Sequence, residues 1–475
     1  DTHKFTNCAY VYIEMMYNTE ALSQMPALSF QVKGKKVYDP RSFDFNANTA
    51  VNTTTNVITY KASSGASPAL STNDSFIYDS NGGTAIGGLT NGTTYYVINV
   101  SATTIKLATT AANANAGTTI SLTSKPSSET QKFTVSTFSS NSALCARDYL
   151  TDTTYGIKAT SSEVNDTTSG GGFAQAANIC DQDVTLADNS TTEKRYTANG
   201  FSTFSANGGG ILEALMSSCS GSITYTNGMF NCFPAAAQTA SLTITDDDLL
   251  EPVGIITAAS KNDLFNGVKG MYVDSANNYQ AADTPIYVSS GSGSYLEADT
   301  PTGESTANYQ KILEVQHPFT TTHTTSQRLA KIALHNQRHN VSMSCLVGLN
   351  FMKLQPKDWV QVTNSRLSYT NKLFEIVDMN LDVISSVDSD IPYLAVRLNL
   401  KETAASITAF TYNEHVAQLA TASNLSTGDL SVDVPTNLAV AATTTVEGAT
   451  NKVEILVTWT NNADDGILGT EVSWS

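Results

Sequence analysis

The 475-residue sequence predicts a mainly β protein with α+β segments, and three observations carry that prediction. Short runs alternating apolar and polar residues recur between glycine or asparagine turns, the pattern of half-buried strands. Only 15% of the residues are charged, against about 25% in an average globular chain. Thr, Ser and Asn stand in their place, and Thr on an exposed strand face suits a pleated sheet. Helical periodicity is confined to a few stretches, clearest at 211–219 and 326–339.

Taken in order, residues 9–17 alternate and predict a long strand. Residues 27–38 predict a hairpin turning at Gly34 and ending at Asp39-Pro40-Arg41. From 46 to 135 charge nearly vanishes, and strands are expected at 57–61, 75–79, 94–100, 104–108 and 119–123. Turns fall at Asn81-Gly82-Gly83, Gly87-Gly88 and Asn91-Gly92. The abrupt composition reads as an all-β module inserted into the surrounding domain. Ser142 is placed to cap a helix over 143–150. A Ser/Thr/Gly loop (160–172), a short helix (173–180) and a strand (195–200) follow. Ile211, Leu212, Leu215, Met216 and Cys219 share one helical face, and Gly221 ends that helix. Asn227-Gly228 joins 222–226 and 229–233 as a hairpin. Strands are then expected at 268–274, 307–315, 341–347, 358–364, 372–378 and 393–400. A helix over 326–339, capped by Thr325 or Ser326, packs on them. A polar linker (416–434) leads to strands at 434–440, 452–459 and 469–475.

The charge balance excludes some partners. With 26 basic and 43 acidic residues the net charge is −17, so nucleic acid phosphates and anionic membranes are not attracted. No run of about 18 apolar residues exists to form a membrane-spanning helix. The start lacks Met and an apolar signal region, and reads as trimmed. Six cysteines, none in a C-x-x-C pair, read as reduced thiols next to apolar residues, with a Cys219–Cys232 bridge left open.

Candidate chemistry is thin. His335 and His339 lie four apart on a helix, but the stretch lacks the Glu of H-E-x-x-H and carries Arg338 beside the second imidazole. Residues 245–251 are acidic without EF-hand spacing, and suit a turn or helix start. Gly208-Gly209-Gly210 opens a helix but matches no phosphate-binding loop, and no G-x-S-x-G elbow occurs. No catalytic residue, metal ligand or cofactor is therefore expected, and the chain reads as a non-enzyme.

Several ordered segments resemble one family. Phe30-x-Val32-Lys33-Gly34-Lys35-Lys36-Val37-Tyr38-Asp39-Pro40-Arg41 is similar to a segment of the tail-tip attachment protein J of lambda-like phages and its tail-hub relatives. So is the stretch from Asn141 to Gly156, with Ser142 where that family usually has Pro. Ala177-Asn178-Ile179-Cys180-Asp181, Arg195-Tyr196-Thr197-x-Asn199-Gly200, Leu242-Thr243-x-x-Asp246-Asp247-Asp248-Leu249 and Leu264-Phe265-Asn266-x-Val268 follow in the family's order. Pro318-Phe319-Thr320-Thr321, Arg328-x-Ala330, Leu354-x-Pro356-x-Asp358 and Leu400-Lys401-Glu402-Thr403-Ala404 complete the set. The likeness covers about 1–45 and 136–412. Within the insert, residues 86–97 resemble β modules of phage fibres and bacterial adhesins. Pro435, Trp459 and Trp474 resemble the start of a fibronectin type III domain. Residues 433–475 are about half of such a roughly 100-residue sandwich, so more chain is expected to follow.

The resemblance implies a tail hub at the distal tip of a long-tailed phage, assembled in the host cytoplasm and carried in the virion. It implies a homotrimer that caps the tail tube, meets distal tail proteins and the tape measure protein, holds host-attachment modules and opens for DNA. It divides the chain into a first tube-like β-barrel (1–45 and 136–206) interrupted by the insert (46–135), and an α+β domain (207–252). A second barrel with a helix (253–415), a linker (416–432) and the partial sandwich (433–475) follow. An acidic lumen would let DNA slide without stable binding. Receptor contacts are expected at the insert's loop tips: Asn81, Gly82, Gly83, Asn91, Gly92 and Thr93. The alternative is a secreted or surface adhesin that binds carbohydrate.

Overall fold

The alternation between residues 36 and 138 builds one seven-stranded sheet: β1 (Lys36–Asn46), β2 (Val51–Asn52), β3 (Val57–Thr59), β4 (Ser75–Asp79), β5 (Thr94–Asn99), β6 (Thr104–Ala108) and β7 (Thr130–Phe138), in the order β1-β7-β4-β5-β6-β3-β2. The computed structural model describes residues 11–13, 30–60, 70–127, 129–202, 207–257, 260, 264–288, 310–386, 389–416, 436–447 and 450–460. Most of the strand expected at 9–17 lies outside these residues, and 11–13 are exposed without regular structure. The hairpin expected around Gly34 is not formed among the described residues, since 30–35 carry no regular structure, and 27–29 lie outside them. Instead β1 runs on through Pro40, at an irregularity between Asp39 and Phe43. Proline is tolerated there because β1 is an edge strand. Phe76, Tyr78, Ile86, Val97, Ile105, Phe133 and Val135 fill this sheet's core. Residues 119–123 form no strand, although Ile120 N donates to Leu107 O and Thr123 N to Gly87 O. Two short helices, α1 (Ala47–Ala50) and α2 (Ala111–Asn115), close loops of the sheet.

The next core joins α3 (Ser142–Thr151), α4 (Phe173–Cys180) and α5 (Gly208–Ser217) with the β10–β11 hairpin (Ser222–Thr226, Met229–Phe233) and with Leu329 and Ile332, while a small β8–β9 pair (Asp183–Thr185, Thr192–Lys194) forms a separate two-stranded sheet. Asn141, not Ser142, caps α3. Its side-chain oxygen accepts from Ala143 N (3.1 Å) and Leu144 N (3.3 Å), while Ser142 is buried and receives the Ser218 hydroxyl. Residues 195–200 are not a strand. Their backbone divides its bonds among separate segments, with Ala198 N on Ser140 O and Asn199 N on Phe319 O. Cys219 and Cys232 are both buried in this core as free thiols, so the bridge left open from the sequence is absent.

Two sheets follow. β12 (Leu242–Ile244) and β13 (Gly254–Ile256) are short edge strands of the larger one. β14 (Gly267–Asp274) centres the smaller one, between β15 (Gln280–Asp283) with β16 (Tyr287–Val288) on one side and parallel β17 (Ile312–His317) on the other. Residues 307–309 of the longer strand expected there lie outside the described residues. Helix α6 (His323–Arg338) packs on β14, with Ala330 and Leu334 against Val268. It starts a turn earlier than its apolar pattern suggests, because its first turns bury polar side chains, Thr324 through Arg328. The larger sheet has the order β12-β19-β20-β21-β18-β13 and adds β18 (Ser342–Val347), β19 (Trp359–Asn364), β20 (Tyr369–Ser386) and β21 (Ser389–Glu402). β20 and β21 outrun the expected 372–378 and 393–400. They stay paired beyond the residues that β19 and β18 contact, as a two-stranded arm. A last hairpin pairs β22 (Thr436–Glu447) with β23 (Thr450–Thr460), and 461–475 lie outside the described residues.

The chain is mainly β with α+β segments. No sheet among the described residues closes on itself. The two tube-like barrels expected from the resemblance are therefore absent as closed sheets. In the larger sheet the three-residue edges β12 and β13 sit at opposite ends, with no pairing between them.

Candidate functional site

The six loop-tip residues singled out in the sequence form one surface at the β4–β5 connection. Tyr78, fully buried at the end of β4, roots it: its hydroxyl donates to Gln131 Oε1 and accepts from Ile86 N (2.8 Å). Burial raises that phenol's pKa above its ordinary value. The backbone of the same residue holds the second tip, with Gly92 N on Tyr78 O (2.8 Å) and Tyr78 N on Thr93 O (3.1 Å). In the first tip Asn81 (φ +53°) and Gly82 (φ +77°) are both left-handed, a turn that Asn and Gly accept at low cost. Asn81 N donates to Asp79 Oδ1 (2.8 Å) and Gly83 N to Ser80 O (2.9 Å).

Asn91 ties the tips together. Its Oδ1 accepts from Ser80 N (2.8 Å) and from the Ser80 hydroxyl (3.3 Å). Gly83 leaves room for the Glu129 carboxylate, since a Cβ there would lie 2.5 Å from Glu129 Oε2 and displace it. That carboxylate accepts from Thr84 N (2.6 Å) and anchors the loop from outside its own sequence. No local pattern in the sequence points to Glu129, which lies 45 residues from Thr84. Asn81, Gly82, Gly83, Asn91 and Gly92 are exposed and Thr93 is half-buried. The surface offers amides and backbone groups, and is rimmed by the Asp79 and Glu129 carboxylates. It suits hydrogen bonding to a polar ligand.

The other candidates resolve into structure. His335 Nε2 lies 3.2 Å from the Tyr287 hydroxyl, and His339 Nδ1 lies 2.9 Å from His335 O. Burial, helped by the Lys331 cation, pushes His335 down to about 4. Among the described residues no group of three His, Cys, Asp or Glu is placed to hold a metal. Asp246 accepts from Ser365 N, the Ser365 hydroxyl and Asn364 Nδ2, while Asp248 caps Thr245, so the acidic cluster is a turn start. Gly208–Gly210 form the first turn of α5, with Asn207 capping Gly209 N (3.2 Å). A hydroxyl–imidazole pair that the sequence did not suggest, Ser326 Oγ with His317 Nδ1 (2.9 Å), is wholly buried under Gly270. Burial pushes His317 down to about 4. Sealed from solvent, the pair joins α6 to β14 and β17.

The segments that carry the family resemblance meet at joints. Arg41 binds Asp39 and Asp181 (2.7 Å to the latter), joining β1 to the end of α4. Asn141 Nδ2 donates to Ala177 O (2.9 Å). Asn199 Nδ2 donates to Thr321 Oγ1 (3.2 Å), and Gly200 lets the Phe319 ring approach where a Cβ would be 2.6 Å away. Arg328, 3% exposed, reaches Glu193 Oε1 (2.5 Å), Arg195 O (2.9 Å) and Thr325 Oγ1 (2.9 Å).

Residues 210–378 match the family described as "Putative phage tail protein". No curated protein matches the chain. Solved structures that resemble it include the 43 kDa tail protein of prophage MuSo2 from Shewanella oneidensis, at 10% identity and a TM-score of 0.27, covering 70% of this chain and 93% of that one. Another is prophage tail protein gp18 from Listeria monocytogenes EGD-e, at 12% identity and a TM-score of 0.23, covering 71% of this chain and 88% of that one.

Proposed function

We propose that the chain is a structural protein of a long phage tail and serves as the hub at its distal tip. The match of residues 210–378 to a phage tail family supports the tail role, since that segment supplies α6, nearly all of α5 and most strands of the sheets built around β14 and β19–β20, and the resemblance of the ordered segments to tail hubs supports the tip placement. In this role three copies cap the tail tube, contact distal tail proteins and the tape measure protein, and part to let DNA through. The division at 1–45, 46–135, 136–206, 207–252, 253–415, 416–432 and 433–475 is proposed as a working set of modules, with β1 and β7 sharing the sheet of the 46–135 module and β12 sharing a sheet of the 253–415 module. The net charge of −17 supports passage of DNA without stable binding. The stapled tips around Asn81 and Asn91 present amide and backbone groups, which supports contact with a polar host receptor.

Antibody labelling of purified tails tests the placement. Label at the distal end is expected. Label spread along the shaft, or confined to material outside the particle, overturns the hub reading. Native mass of the complex released from tails tests the trimer, and a monomer or hexamer refutes it. Substituting Asn81 and Gly82 by Asp and Ala tests the receptor contact. Adsorption equal to the parent particle removes the tips from the proposal.

A further inference from the structure

Gln327 and Lys331 lie one turn apart on α6, and both hold the same short segment, residues 409–416. Lys331 Nζ donates to Ala409 O (2.5 Å) and to both Glu414 carboxylate oxygens (2.8 and 2.9 Å). The Gln327 side chain clamps the Val416 backbone twice. Its Nε2 donates to Val416 O (2.8 Å), and its Oε1 accepts from Val416 N (3.0 Å). Between these anchors His415 is 9% exposed, with its ring 4.6 Å from that of Phe410. Neither of its ring nitrogens has a hydrogen-bond partner among the described residues. The chain then runs through 417–435 to the β22–β23 hairpin, so this strap is the last anchor described before that module.

The surroundings of His415 suit a neutral ring. From α6, Arg328 and His323 oppose a further positive charge. From β9, Glu193 favours one, as does Glu414 of the strap itself. Both carboxylates are already engaged, Glu193 by Arg328 and Glu414 by Lys331. Arg328 Nε is itself buried without an acceptor, so a second N–H on His415 would add a further donor beside one that already lacks a partner. A proton on His415 would therefore be buried unpaired, which is costly.

We propose that residues 409–416 form an acid-released latch: with His415 neutral the strap stays docked on α6, and a proton on His415 frees it together with the chain that follows. The released ring titrates near the ordinary histidine value of about 6.5. Burial holds the docked ring below that value. Docking is then at full strength above about pH 6.5 and weakens as the pH falls, because only the undocked state takes up the proton. The proposal does not rest on the tail reading, since it is tested on the isolated chain.

Hydrogen exchange of 409–416 in the intact chain, corrected for the intrinsic exchange rate, reads the latch. If the docked ring stays unprotonated, opening becomes about 30-fold more favourable at about pH 5 than at about pH 7.5. Protection should fall by up to that factor, while β19 and β20 keep theirs. His415→Phe retains a ring against Phe410 and takes no proton, so its protection should be equal at the two pH values. Should that variant lose protection in β19 and β20 as well, His415→Gln provides the same comparison. Unchanged protection in the parent chain overturns the latch, as does a pH-dependent loss in the non-titrating variants equal to the parent's. Gln327→Ala should open the strap at both pH values, and parental protection in that variant would also overturn the proposal.

Discussion

Replacing Phe133 by Ala should loosen the whole sheet that carries the loop tips. Phe133 lies on β7, fully buried, with its ring 4.5 Å from Phe76, 5.4 Å from Phe43, 5.9 Å from Phe45 and 6.4 Å from Tyr60. Truncating such a residue costs about 3–5 kcal/mol through lost transfer energy and the cavity left behind. The ring contacts add to this. Each well-placed aromatic pair contributes about 0.5–1.5 kcal/mol beyond its buried area, and the stacked contacts with Phe76 and Phe43 are the closest. The upper end of the range, about 5 kcal/mol, is therefore expected for Phe133→Ala. Phe133→Leu keeps most of the volume and should lose about 1–3 kcal/mol, the ring pairs alone. Phe43→Ala, at a half-buried site on the edge strand, should cost about 1–2 kcal/mol. Urea-dependent hydrogen exchange of β4 and β7 amides in the intact chain reads this core separately from the others. A cost for Phe133→Ala no greater than that for Phe43→Ala would refute the claim that these rings centre on Phe133.

Three further outcomes are expected. His317 is held at about 4 by burial, below its ordinary 6.5, so the folded state excludes a proton that the unfolded chain accepts. Its contribution is complete above about pH 6.5 and is lost as pH falls toward 4, by about 3 kcal/mol at most. In His317→Gln the pH dependence of urea unfolding, read from β14 amides, should flatten in that window. Gly171 has φ +78°, and a Cβ would lie 2.4 Å from the Phe233 ring. Gly171→Ala should therefore destabilise the α4–β11 core by about 1–3 kcal/mol, measured by thermal unfolding. Burial raises the thiols of Cys145, Cys180, Cys232 and Cys345 above their ordinary value, to about 12 for Cys145 and Cys345. Cys180, Cys232 and Cys345, which are closed to solvent, should react with a thiol-directed aromatic disulfide only after denaturant is added, and rapid labelling at any of these three positions in the native chain would contradict their burial.

Local signals made some elements legible. The β10–β11 hairpin is announced by Asn227-Gly228, and Asn227 (φ +54°) and Gly228 (φ +77°) adopt the left-handed pair that such a turn requires. Helix α4 and strands β4 and β6 begin and end where their apolar spacing says. What escaped depends on distant partners. The first turns of α6 are polar in sequence yet buried, because Arg328 finds Glu193 and Lys331 finds Glu414. Residues 195–200 alternate like a strand, but their hydrogen bonds are taken by Ser140 and Phe319. At the loop tips the turn glycines were visible, whereas the Asn91–Ser80 staple and the Glu129 anchor exist only once β4, β5 and β7 lie side by side.

The residues of the recognised segments and the loop tips do different physical work, and a pair of substitutions separates them. Arg328 bridges α6 to Glu193 and to the Arg195 carbonyl, and its side chain is 4% exposed. Arg328→Met removes the cation but leaves the Glu193 carboxylate and the Arg195 carbonyl without it in a largely buried place. Breaking one partner of such a pair costs about 3–5 kcal/mol, because the remaining charge is uncompensated. Asn91→Ala removes two acceptor contacts at an exposed tip, where a hydrogen bond is worth about 0.5–1.5 kcal/mol. Arg328→Met should therefore lower the yield of assembled particles while those that form adsorb normally. Asn91→Ala should leave assembly intact and slow adsorption. Normal yield with Arg328→Met would show that the joint contributes little to folding. Reduced assembly with Asn91→Ala would show that the tips serve the particle's construction rather than its contact with a host.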